Sequence, residues 1–217
     1  VVSLGDDIKA VVVEVGLGFE VERETTTIRG EYLDYEENTQ MTKPFTFQHF
    51  LFVKLFHDTQ VVPGDVIRFL VDGRRYLVMS ALPELFENQI IETSAVLYRC
   101  NVVGSLLRPS GETETYSFKT KTTWLPVKTD FPALLTDKLY ATRLDEQTHD
   151  FAAVDVTGLI LYVPAYVKPI PLDRFVVSGE SPYRGAISGE EHYKVTSLEP
   201  HSFDGVSVVY LEEDTRE

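Results

Sequence analysis

The chain has 217 residues, 43% of them apolar, and sets 20 Lys and Arg against 34 Asp and Glu for a formal net charge of −14. That apolar share is ordinary for a folded protein and argues against extensive disorder, while so acidic a surface repels phosphate and disfavours tight nucleic-acid binding. A single cysteine, Cys100, excludes an internal disulfide and the cysteine-rich zinc modules.

No stretch approaches the apolar length that spans a bilayer, since the best one, residues 159–163, is stopped by Pro164. Asp6, Asp7 and Lys9 interrupt the first apolar residues, so no secretory leader is expected. A soluble protein made in a reducing compartment follows, with Cys100 an inert packed thiol at the end of a strand.

Ile8, Val11, Val12 and Val15 fall on one helical face, with Ser3 as a cap, Asp6 and Asp7 at the positive end and Gly16 as a stop. They predict a short N-terminal helix that packs through this stripe; a strand through residues 11–15 is the rival reading. From Gly18 the pattern turns to strands: Phe19 and Val21, then Thr25 to Ile28, with Arg29-Gly30 as a break. Residues 31–42 read as a polar, turn-rich loop around Glu36-Glu37-Asn38. Residues 45–56, with Phe45, Phe47, Phe50, Leu51, Phe52, Leu55 and Phe56, read as core strand.

A meander follows. Pro63-Gly64-Asp65 leads into Val66-Ile67-Arg68-Phe69, a turn at Asp72-Gly73, Tyr76-Leu77-Val78, a connection over residues 83–88, and a strand from Ser94 to Arg99. Residues 101–111 look like a seam. Residues 113–123 are strand-like, residues 132–139 a short helix with proline in its first turn, and residues 145–150 a polar loop. After the strand at 159–163 the meander recurs: Pro171-Leu172-Asp173, Arg174-Phe175-Val176-Val177, Tyr193-Lys194-Val195, a bend at Leu198-Glu199-Pro200, and a strand from Val206 to Leu211. Residues 180–190 form a longer, projecting loop and residues 212–217 a charged tail. Asp65 answers to Asp173, and Tyr76-x-Val78 to Tyr193-x-Val195.

The fold expected is therefore mainly β: two tandem, related small antiparallel β-barrel or sandwich modules with a short N-terminal helix. Their expected bounds are 1–101, the helix with the first module, and 102–217, the second with extended loops.

The chemistry sought is missing. Gly16-x-Gly18 lacks a third glycine and follows the helix instead of preceding one, so it is no dinucleotide fingerprint, and HExxH, GxSxG and CxxC do not occur. Of His49, His57, His149, His192 and His201, only His192 and His201 with Asp204 suggest a metal set, and strand or surface histidines are the commoner case. The pairs Asp145/Glu146, Glu190/Glu191 and Glu212/Glu213 read as solvated carboxylates. Trp124 and Tyr183 are the aromatics whose exposure a carbohydrate-binding sandwich would require. No catalytic, cofactor-binding or metal residue is expected, and the chain is read as not an enzyme.

Gly18-Phe19-x-Val21-x-Arg23 after the helix, Asp65-Val66-Ile67 with Asp72-Gly73-x-x-Tyr76-x-Val78, and their second-half echo Asp173-Arg174-Phe175 with Tyr193-x-Val195 resemble the head–tail connector proteins of tailed bacteriophages, the head-closure, stopper or neck subunits. The duplication departs from the simplest members, which carry one copy. The resemblance implies a virion structural protein assembled in the host cytoplasm. It would form a homo-oligomeric ring between portal or adaptor and tail proteins, with DNA passing through without sequence-specific binding and no membrane partner. Residues 31–42 and 180–190, together with free strand edges, would make the contacts. Another tail ring (terminator, tube or baseplate) and a carbohydrate-binding sandwich are the alternatives.

Overall fold

The computed structural model describes residues 4–23, 27–36, 50–114, 120–136, 159–178 and 191–216. The chain divides into two compact units, residues 1–100 with 164–166 and 203–206, and residues 101–163 with 167–202 and 207–217. The first carries helix α1 (Leu4–Val15) and strands β1 (Leu17–Glu22), β2 (Thr27–Glu36), β3 (Phe50–Phe56), β4 (Val66–Phe69), β5 (Arg75–Phe86) and β6 (Gln89–Arg99). The second half of the chain supplies β7 (Val102–Glu114), β8 (Thr120–Thr136), β9 (Leu159–Pro164), β10 (Arg174–Ser178), β11 (Glu191–Phe203) and β12 (Val206–Glu213), with a single 3-10 turn at Ala165–Val167.

Both sets close into antiparallel barrels, β1-β2-β3-β6-β5-β4 and β7-β8-β9-β12-β11-β10. The second order is the first moved on by six strands, and the pairing register repeats with it. Val21 of β1 faces Ile67 of β4 as Leu106 of β7 faces Phe175 of β10, and Ile67 faces Tyr76 as Phe175 faces Tyr193. The protein is thus mainly β, two related barrels in tandem with one short helix.

Each barrel is filled by the inward residues of its strands. In the first, Phe19, Val21, Leu33, Val53, Leu55, Ile67, Val78 and Leu97 lie at or near zero exposure; in the second, Leu106, Phe131, Ala133, Leu135, Leu161, Phe175, Val195 and Leu211 do. One exchange shows the same space filled in two ways. At the positions of Phe19 and Ile67 the second barrel has Gly104 and Phe175, so the ring comes from the neighbouring strand. A Cβ on Gly104 would lie 2.3 Å from that ring, and glycine is what admits it.

Several expectations are corrected. Arg29-Gly30 does not break a strand: β2 runs through it, and the register slip between Phe19 and Glu20 absorbs the extra residue as a bulge. Residues 31–36 of the presumed loop belong to β2. The connection at 83–88 is strand as far as Phe86, closed by a two-residue turn with positive φ at Glu87 (48°) and Asn88 (63°). The presumed seam at 101–111 is β7, and the presumed helix from Pro132 is β8, at least to Thr136. The bend at Leu198-Glu199-Pro200 lies within β11.

The prolines misled for one physical reason: Pro83, Pro109, Pro126 and Pro132 lie where, among the described residues, their strand is paired on one side only. A missing N–H costs little there. Predictions at 1–3, 24–26, 37–49, 115–119, 137–158 and 179–190 lie outside the described residues. They include His49, His149, Asp145, Glu146, Tyr183 and the loops at 145–150 and 180–190.

Helix α1 forms as expected, and the N–H of Gly16 donates to Val12 O at 2.7 Å. Only half of the expected stripe, Ile8 and Val12, is half-buried. Gly5 sits against the His57 ring, Gly16 against Leu33, and Lys9 reaches over the Phe56 ring at 4.9 Å to Asp58 at 2.6 Å. Val11 and Val15 point to solvent at 59% and 72% exposure.

Candidate functional site

Asp65 and Asp173 are buried carboxylates at matching places in the two barrels, and both serve the fold. In the first barrel Arg23, just past β1, donates from Nε and Nη2 to the two oxygens of Asp65 at 2.8 and 2.9 Å. The same carboxylate accepts the N–H of Val62 at 2.9 Å, and Arg23 also donates to the carbonyl of Gln60. The Asp65 backbone finishes the clasp, with its carbonyl accepting from Val78 N–H while Gly64 N–H donates to Val78 O.

The second barrel repeats every one of these bonds. Arg108 of β7 donates to both oxygens of Asp173 at 2.9 Å, Ile170 N–H donates to Asp173 Oδ2 at 3.0 Å, and Arg108 reaches Lys168 O at 3.3 Å. Val195 N–H donates to Asp173 O and Leu172 N–H to Val195 O, both at 2.8 Å. Leu172 holds φ at +75° where Gly64 holds +88°, so a side chain has been accepted at a left-handed position that glycine occupies in the other copy. The sequence shows the two aspartates through their turns, and Arg23 within its motif, but not the pairing of Asp65 and Asp173 with Arg23 and Arg108, 42 and 65 residues away in the chain.

Elsewhere the barrels differ. Arg174, buried in β10, takes the place of Val66, and Asp214 takes that of Cys100. Arg174 donates to Asp214 at 2.7 Å, and Arg216 donates to the same carboxylate from Nε and Nη2 at 2.8 Å. Burial alone would raise the Asp214 carboxyl; the hydrogen bonds from Arg216 and Arg174 override it and hold it well below the usual carboxylate range. The expected charged tail is therefore pinned through residue 216.

Trp124 lies beneath both guanidiniums, 3.9 Å from Arg174 and 4.8 Å from Arg216. It is no open aromatic platform. Cys100 of the first barrel is half-buried, and burial pushes its thiol up to about 12.

Among the described residues no group of three His, Cys, Asp or Glu is placed to hold a metal ion. His57 faces Asp6 at 3.6 Å at the start of α1, and Glu191 accepts from the Tyr193 hydroxyl at 2.8 Å. Glu213 and Glu212 end β12 as exposed residues.

What the first barrel offers to the outside is the β5–β6 hairpin. β4 pairs with β5 only from Arg75 to Leu77, and β3 follows β6 only to Glu92. The hairpin runs on past both, exposing Leu82, Leu85, Phe86 and Ile90 at 44–70%. At its base Lys54 donates to Glu92 and, at 3.4 Å, to Glu84, while the Ser94 hydroxyl donates to Glu84. The Glu92 hydrogen bond raises Lys54; burial raises the Glu92 carboxyl, and the Ser94 hydroxyl lowers that of Glu84. Barrel closure removes the strand edges expected for ring contacts. Among the described residues of the first unit, the flank of β5 beyond Val78 is left without a strand partner.

No family model matches the chain, and no curated protein does. Among solved structures it is similar to K. pneumonia MrkH in its apo state, at 8% identity over 97% of this chain and 83% of that one, with a TM-score of 0.19. That degree of overlap carries no argument about fold or function.

Proposed function

We propose that the protein is a structural assembly subunit whose working parts are its outer surfaces. The observation that carries this reading is the repeated clasp. The most buried carboxylates of both barrels are spent on holding their own turns, and the interiors around them are filled with packed apolar side chains. Each barrel is then closed and well packed, and its hairpins and loops are what it offers to neighbours. Trp124, held under two arginines, supports this reading over a carbohydrate-binding sandwich.

The specific place proposed is the neck of a tailed-phage virion, as a ring subunit between portal or adaptor and tail with a channel for DNA. It rests on the resemblance carried by the duplicated Asp65 and Asp173 stretches. The net charge of −14 supports it, because an acidic lumen lets DNA slide. With both barrels closed, ring contacts would run through side-chain surfaces, the β5 flank and residues 37–42 and 180–190. Negative-stain imaging of the purified chain, with its mass in solution, tests the reading. Closed rings with a central hole support it, and a strictly monomeric protein at high concentration refutes it.

A further inference from the structure

One end of the first barrel carries two apolar elements that nothing in the described chain covers. Helix α1 lies across the end at which β3 finishes, with Gly5 on His57 and Lys9 over Phe56. Phe56 pairs with Glu92, so the β5–β6 hairpin projects past this same end. On α1, Leu4, Ile8, Val11 and Val15 follow a 4-3-4 spacing, the seam by which one helix meets another. Leu4, Val11 and Val15 are exposed, and the hairpin adds Leu85, Phe86 and Ile90.

We propose that this end is a docking face for a segment of another protein that carries apolar anchors flanked by lysine or arginine. Charge selects that occupant. The cations at this end are engaged, Lys9 with Asp58 and Lys54 with Glu84 and Glu92. Asp7 and Glu14 on α1 and Glu87 in the hairpin turn make no ion pair among the described residues, and each lies in sequence beside the apolar residues of its own element. A second copy would bring carboxylates against carboxylates, and an anionic bilayer would meet the same repulsion. A basic amphipathic segment satisfies both seam and rim. The inference deepens the assembly reading and rests on it only in treating the surface as the working part.

The test titrates the full chain into a labelled helical peptide of leucine and lysine, and into its leucine–glutamate counterpart. The expected result is saturable binding of the lysine peptide alone. Leu85→Ser with Phe86→Ser, and separately Val11→Ser with Val15→Ser, each weaken it about tenfold or more, since these changes alter no charge. Their unfolding midpoints stay near that of the parent, because the residues removed are exposed. Equal binding of both peptides, or unchanged affinity in both double variants, would overturn the proposal. So would self-association, or binding to phosphatidylcholine–phosphatidylglycerol vesicles, that those variants abolish. Rings formed by a chain that binds neither peptide would remove the docking face and leave the assembly reading intact; peptide binding by a strict monomer would do the reverse.

Discussion

Replacing Arg108 by Met tests the clasp where its consequence is largest. Asp173 has no exposed surface, and two of its three side-chain hydrogen bonds come from Arg108. Without the guanidinium, the carboxylate keeps one backbone N–H and no counter-charge, a situation that costs about 3–5 kcal/mol. Against the 5–15 kcal/mol typical of a folded domain, that is a large share. Arg108 is itself more than a third exposed, so Asp173→Leu leaves a guanidinium that water can reach and is the milder change. The double variant, Arg108→Met with Asp173→Leu, recovers at least about 1 kcal/mol relative to Arg108→Met alone, since an ion pair replaced by apolar groups leaves no stranded charge. The assay is urea unfolding followed by tryptophan fluorescence, which reports on the second barrel because the chain has one tryptophan, Trp124. A loss under about 1 kcal/mol, the level of a surface ion pair, would refute the reasoning.

Gly104→Ala should cost about 1–3 kcal/mol by driving a methyl group into the Phe175 ring, and adding Phe175→Ile, the residue at the same place in the first barrel, should return part of it; a stability equal to the parent for Gly104→Ala contradicts the packing described. The Asp214 carboxyl titrates lower in the folded chain than in the unfolded one, so its contribution is complete above the ordinary carboxylate value of about 4 and is lost as pH falls below it. Thermal midpoints read at Trp124 should fall on acidification, and Asp214→Asn should flatten that fall; an identical acid profile for the variant would count against the Arg174–Asp214–Arg216 cluster. The Cys100 thiol, pushed up to about 12 by burial, should resist iodoacetamide at pH 8 until urea unfolds the chain. Alkylation of the native protein at the rate of a free thiol would show the site to be open.

What the sequence reveals follows the range of the forces involved. The meander around Asp65 and its echo at Asp173 are legible because Pro-x-Asp turns, alternating strands and Tyr-x-Val are local signals. The pairing of these aspartates with Arg23 and Arg108 is not, because a partner 42 or 65 residues away leaves no spacing to read. Pro126 and Pro132 in β8 read as helix or break on propensity alone, and only the one-sided pairing of that strand makes them strand residues. The helix was predictable from Ile8, Val11, Val12 and Val15, but only Ile8 and Val12 of that stripe are half-buried. Gly5 and Gly16 permit the close approach, and so the valines of the seam are left outside.

Leu172 adopts the backbone angle of Gly64 without glycine's freedom, which says what dictates the turn. Its form is imposed from outside, by a carboxylate and two main-chain partners, and not by the latitude of the residue at its apex. The apex is therefore free to differ between the two copies, whereas the aspartate beside it acts as the keystone. A search for further copies of this module should anchor on that acid and its distant arginine, and let the neighbouring position drift.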